Sequence, residues 1–289
     1  MYGNNPLNLN QESIEACELV SVGHSRNIPT EIYYELYGKG PKKVIFVNGM
    51  GSDRQMWEII VSYLLKSSEF QLLVFDHRGT GYSKSCAFSQ ITTSTMAKDA
   101  EELLNHLKWD KDINVVGISM GGMISSELAL LIPEKISTLT LCSTTSGRLF
   151  YKEWLNEECS FSSEFQTNRE FLFSALYWPK AKRKFKNTKI HGLNTFAGQA
   201  LAVMRHNISQ KSLNKLGQLF DGKRIWVVVG TKDNYIPESD SEYLAKHIGP
   251  AACELQIFEG SGHAVPIQNF AEFSKKLNTF IINGTLLKE

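Results

Sequence analysis

Gly117-Ile118-Ser119-Met120-Gly121-Gly122 decides the fold of this chain. The apolar run Ile113-Asn114-Val115-Val116 precedes it, and Met123 to Leu131 follows with helical character. A strand, then Gly-x-Ser-x-Gly, then a helix is the setting in which a serine is held on a sharp, strained turn. Glycines two before and two after the serine keep side chains from colliding there. The helix that follows points its free N–H groups and the positive end of its dipole at the serine, where an oxyanion would meet them. The competing reading is a glycine-rich turn carrying a structural serine.

A serine hydroxyl is a weak nucleophile until a base takes its proton, and that base needs an orienting acid. Of the seven histidines, His263 stands in the most telling context. It follows the strand-like run Glu254-Leu255-Gln256-Ile257-Phe258 in a loop with Gly260 and Gly262, so its imidazole can be presented at a strand's C-terminal end. The acid candidate is Asp233. It follows Ile225-Trp226-Val227-Val228-Val229, which reads as a parallel strand buried on both faces. Its competing role is that of a turn or helix-capping aspartate. Glu238 and Asp240 nearby read better as the start of a helix, and the loop after the strand-like run Thr138 to Cys142 holds Ser143-Thr144-Thr145 and no carboxylate, which favours Asp233. The chain order is therefore Ser119, Asp233, His263. A further apolar run, Val44-Ile45-Phe46-Val47, leads into Asn48-Gly49-Met50-Gly51. There the backbone N–H of Met50, together with that of Met120, is placed to hold an oxyanion. Trp57 lines a pocket or packs beneath it.

These motifs, with Asp76-His77-Arg78-Gly79-Thr80-Gly81-Tyr82-Ser83, resemble the α/β-hydrolase family and its small esterase and lactonase-like branch. The resemblance runs from about Ile14 to Ile282. One departure is Asn48, where the family usually has histidine. Asn48 is expected to brace the loop by hydrogen bonds or to face the substrate pocket. Asp76 and Arg78 are expected to brace loops. The resemblance implies a mostly parallel eight-stranded sheet with helices on both faces, and a helical cap inserted after strand 6. It implies hydrolysis of a carboxylic ester or related acyl substrate without metal or organic cofactor. C–C bond or thioester hydrolysis on the same triad, and a slow-turnover ligand receptor, are the alternatives. A serine nucleophile argues against the haloalkane and epoxide branches, which use aspartate.

The remaining chain agrees. Ala16 to Val22 and Glu31 to Tyr37 read as an antiparallel strand pair. Strands near Val44, Leu72, Val115, Leu139, Trp226 and Leu255 then alternate with helices, as in a parallel sheet covered on both faces. Residues 1–145 and 223–289 are assigned to the core, and 146–222 to the cap. The cap span is rich in aromatics, among them Trp154 and Trp178 as tentative pocket residues, and Leu193 to Asn207 reads as a helix returning to the sheet. Its basic run Lys180 to Lys186 reads as a solvated linker between cap helices, with recruitment of an anionic substrate or a membrane surface as the alternatives. A chain of 289 residues with 42% hydrophobic content can bury one large core. A net charge of +1 excludes nucleic-acid binding driven by overall charge. No apolar run has transmembrane length, and the N-terminus lacks the pattern of a signal peptide. The five scattered cysteines fit reduced thiols and a cytoplasmic location.

Overall fold

Alternation of apolar side chains builds the sheet. In β3 (Lys42–Val47), Val44 and Phe46 enter one hydrophobic cluster, while Ile45 and Val47 enter the other. Successive strand residues point to opposite faces, so a strand apolar at every position must be covered on both sides. A computed structural model describes residues 7, 9, 13–84, 87, 90–147, 192–222 and 224–286. Its eight-stranded sheet has the order β1-β2-β4-β3-β5-β6-β7-β8. The other strands are β1 (Ile14–Val22), β2 (Thr30–Tyr37), β4 (Phe70–Phe75), β5 (Ile113–Ile118), β6 (Ile136–Cys142), β7 (Ile225–Gly230) and β8 (Cys253–Phe258). β2 pairs antiparallel with β1 and β4; every pairing from β4 through β8 is parallel. The mostly parallel eight-stranded sheet expected from the sequence is the sheet observed.

On one face lie α2 (Thr93–His106), α3 (Met120–Leu131), α5 (Gln210–Leu219) and α6 (Glu238–Ile248), over Ile45, Leu73, Val115, Leu139 and Val227. α2 is amphipathic, with Met96, Ala100, Leu103 and Leu104 buried and Thr92 accepting a cap bond from the Thr95 N–H. On the other face lie α1 (Glu58–Leu64) and α8 (Phe270–Asn283), with the short α7 (Val265–Gln268) leading into the latter. Trp226 anchors α8 by stacking on Phe273 at 5.3 Å and meeting the tilted Phe280 ring at 5.9 Å between ring centres.

α4 (Gly192–Arg205) is the helix expected over Leu193 to Asn207. It ends at the sheet: the Ile208 N–H donates to Ser146 O at 2.8 Å, closing the insertion on itself. α5 then packs Leu213 and Leu216, with Phe220 just beyond, into the same core cluster as α3 and α6. The last part of the 146–222 span thus belongs to the helical layer of the sheet. Trp154, Trp178 and the run Lys180 to Lys186 lie outside the described residues. No helix among the described residues is long and apolar enough to cross a membrane.

Because β3 to β8 are parallel, the loops after them emerge on one edge, where sites of such sheets form. Two buried charge clusters hold those loops. Arg54, just after β3, donates from Nε to Glu35 Oε1 at 2.6 Å and from Nη1 to Asp76 Oδ2 at 2.9 Å. Glu35 also accepts from the hydroxyls of Tyr33 and Tyr37. Arg78 forks onto both oxygens of Asp99 at 2.6 and 2.7 Å, and Arg26 reaches the same carboxylate at 2.6 Å. Asp76 and Arg78 occupy bracing positions, as the sequence suggested. Replacing Arg54 with methionine would strand Glu35 and Asp76 in the interior, and breaking such a pair costs about 3–5 kcal/mol. Denaturant unfolding of Arg54→Met should show a loss of that size; a loss below about 1 kcal/mol would show that the cluster is not a brace.

Candidate active site

Ser119 sits between β5 and α3 with φ 56° and ψ −124°. A non-glycine residue in this conformation carries roughly 1–3 kcal/mol of strain. Its surroundings impose the strain. A Cβ on Gly117 would lie 2.4 Å from Gly121 O, and one on Gly121 would lie 2.1 Å from Val47 O. Glycine at both positions lets the first turn of α3 press against the ends of β3 and β5. A Cβ on Gly122 would lie 2.6 Å from the Thr144 side chain, so this third glycine serves the same approach. The turn is fastened by the Ser119 N–H donating to Cys142 O at 2.9 Å. Ser119 O accepts from the Gly122 N–H at 2.9 Å and the Thr144 hydroxyl at 2.7 Å. Thr144 belongs to the polar run after β6, and no local pattern marks it as a residue that grips the elbow.

Asp233 and His263 meet on the same edge. Asp233 Oδ2 lies 2.8 Å from His263 Nδ1, and Oδ1 lies 3.0 Å from it. The carboxylate is fully buried and the imidazole is one-tenth exposed. Oδ1 also accepts the backbone N–H groups of Tyr235 and Ile236, each at 3.0 Å. With an acceptor facing Nδ1, that nitrogen carries the proton and the neutral ring presents Nε2 as a base. The two loops interlock closely: the Lys232 N–H donates to Ser261 O at 2.8 Å, and a Cβ on Gly230 would lie 2.2 Å from the same oxygen. The Tyr235 ring lies 5.3 Å from the imidazole, and burial, reinforced by the Asp233 carboxylate, pushes its hydroxyl up to about 12. Tyr235 therefore keeps its proton across the working range.

The loop after β3 passes beside the elbow, with a Cβ position on Gly49 only 3.4 Å from Ser119 Cβ. Asn48 is fully buried and braces the loop, donating from Nδ2 to Phe75 O at 2.6 Å. His77 adds a second tie, Nε2 to Asn48 O at 3.0 Å. Burial lowers His77 to about 4, against the smaller pull of that bond and of Asp99. It is thus a neutral donor, and the accepting carbonyl assigns the proton to Nε2. Met50 is partly buried against the core. Met120, as first residue of α3, has an N–H with no acceptor inside its helix. Trp57 is 1% exposed and packs on Phe46 at 5.1 Å between ring centres, within the core on the α1 face. Gln199 was not foreseen: fully buried on α4, it accepts from the Gly51 N–H and donates to Thr80, each at 3.0 Å. A glutamine within a helical stretch gives no signal of such a contact.

A mostly parallel eight-stranded sheet with a serine on a strained strand-to-helix turn and an acid–histidine pair on the following loops defines the α/β-hydrolase class. A family model described as the alpha/beta hydrolase fold matches residues 42–270, and the chain belongs to that family. Among its relatives is RutD of Rhizobium rhizogenes, provisionally named a carbamate hydrolase, 26% identical over 86% of this chain and 97% of its own. The pimeloyl-[acyl-carrier protein] methyl ester esterase of Aliivibrio salmonicida is 24% identical over 87% of this chain and 96% of its own. Among solved structures, the meta-cleavage product hydrolase of Pseudomonas fluorescens matches with a TM-score of 0.74, 18% identity and coverage of 94% and 99% of the two chains.

The buried neutral state of His77 has a consequence for stability. Between about pH 6.5 and 4 the unfolded chain binds a proton at this residue and the native chain does not, so the contribution of His77 falls as pH falls. The stability of the wild type relative to His77→Gln, which keeps a donor but does not titrate, should drop by about 3 kcal/mol over that range. A pH-independent difference between the two proteins would contradict the buried neutral assignment.

Proposed function

We propose that this hydrolase is a serine enzyme that cleaves a carboxylic ester or related acyl substrate, carbamates and thioesters included, through an acyl-enzyme. The observation that carries the reading is the buried Asp233 carboxylate bonded to His263 Nδ1, on the strand edge where Ser119 stands strained. His263 Nε2 takes the Ser119 hydroxyl proton as Oγ attacks the substrate carbonyl. The carbonyl oxygen becomes an oxyanion facing the N–H groups of Met50 and Met120. The tetrahedral intermediate collapses, the C–O, C–N or C–S bond to the leaving group breaks, and the imidazolium returns its proton to that group. Water, deprotonated by Nε2, then attacks the acyl carbonyl and releases Ser119. Asp233 holds the imidazole in one tautomer and stabilises its cation.

The names of the relatives support this substrate class: each act named, on a carbamate or a methyl ester, is displacement at an acyl carbon. We assign the 146–222 insertion, up to the end of α4, the role of selecting among such substrates by covering Ser119, with Trp154 and Trp178 as its pocket residues.

Ser119→Ala should fold normally and lose all covalent labelling by a fluorophosphonate. Asp233→Asn should keep the fold and lower kcat on a chromogenic short-chain ester by about four orders of magnitude, because the amide allows the wrong tautomer. Labelling of Ser119→Ala at the wild-type level, or near-wild-type turnover by Asp233→Asn, would remove the corresponding residue from the mechanism.

A further inference from the structure

We propose that Gln199 is a positioning residue that sets the Met50 N–H for transition-state stabilisation and makes that donor depend on the seating of α4. The inference rests on the serine-hydrolase reading above. The segment Asn48–Gly51 is held at two points. At its first residue, Asn48 is tied to the loop after β4 through Phe75 O and His77. At its last residue, Gly51 donates its N–H to Gln199 Oε1 at 3.0 Å. Met50 lies between the two, so the orientation of its peptide follows from where both ends are fixed. Gly51 has φ 69°, a conformation that is soft in glycine, so without an acceptor its peptide can turn.

The glutamine is itself fixed. Nε2 donates to the Thr80 hydroxyl at 3.0 Å, and the Thr80 N–H donates to His77 O at 2.9 Å. The hydrogen bonds therefore close a ring: Asn48, His77, Thr80, Gln199, Gly51 and back along the loop. The helix that carries Gln199 is docked by close contact. One turn earlier, Thr195 fills the space over Gly79, where a Cβ would lie 2.6 Å from Thr195 Oγ1. Next to Gln199, a Cβ on Gly198 would lie 2.7 Å from Ile91 Cδ1. A helix seated this closely has little freedom to move without breaking the glutamine's two bonds. Displacement of α4 would release the Gly51 N–H, loosen the Met50 peptide and weaken the oxyanion site.

The test compares wild type with Gln199→Met, similar in size but unable to make either bond, and with Thr80→Val, which frees the glutamine's amide while leaving its carbonyl. A purely structural glutamine would change stability alone. A positioning role predicts that Gln199→Met lowers kcat on p-nitrophenyl acetate by about 10- to 100-fold with KM within threefold, short of the roughly 100- to 1000-fold loss when an oxyanion donor is removed outright. Inhibition by a trifluoromethyl ketone, whose adduct with serine carries an oxyanion, should weaken by the same factor, while inhibition by the product acetate should not change. Thr80→Val should show the same pattern at about 3- to 10-fold, and it decides the matter if Gln199→Met does not fold. Folded variants with kcat within about twofold of wild type, or with losses in KM alone, would overturn the role of Gln199. Wild-type protein that a fluorophosphonate does not label on Ser119 would instead overturn the hydrolase reading itself.

Discussion

The close approach of α3 to the ends of β3 and β5 is the constraint on which the rest of the site depends. It forces Ser119 to φ 56° and ψ −124°, and it is possible only because Gly117 and Gly121 have no Cβ. Strain of this kind persists when the surroundings over-determine it. Here the determinants are a rung to β6 through Cys142 O, a hydroxyl from Thr144, and a helix whose residues are nearly all buried. The same packing puts the start of α3, where the Met120 N–H has no acceptor within the helix, beside the serine. Fold and chemistry therefore share one set of contacts.

The other parts of the site stand on loops, and loops need fixing. Three devices do this on the one sheet edge. The Asp233 loop is closed by the carboxylate's own bonds to Tyr235 and Ile236, which point the second oxygen at His263. The loops after β3 and β4 are joined by the buried Arg54 cluster, whose charges are compensated in place. The Asn48–Gly51 loop is tied by Asn48, His77 and Gln199. Each device satisfies buried polar groups that would otherwise oppose folding, so the cost of ordering these loops is offset by bonds within the loops and to the strands and helix beside them.

The sheet was legible because its strands are unusual locally. Runs such as Ile225 to Val229 are apolar at every position and rich in β-branched residues, which suits a central strand buried on both faces. The Ser119 elbow was legible because its glycines answer a local steric demand. Asp233 and His263 were found from their place after strands, and the structure brings them within hydrogen-bond distance. What escaped the sequence was long-range pairing. Nothing local marks Gln199 as a partner of Gly51, 148 positions away, or Thr144 as a partner of Ser119. Trp57 was ambiguous for a related reason: an aromatic after the oxyanion loop can turn either way, and packing against Phe46 fixes it. The extent of the insertion was the hardest to read, because Leu213, Leu216 and Phe220 rejoin the core while still within its expected span.

The central claim is that Ser119 becomes acylated. A carbamylating ester such as p-nitrophenyl dimethylcarbamate forms an adduct on a serine nucleophile that water removes slowly. After incubation and acid quench, peptide mass spectrometry should find one dimethylcarbamoyl group per chain, on the peptide that contains Ser119. Release of p-nitrophenol with the group absent from that peptide, or carried by another residue, would contradict the account.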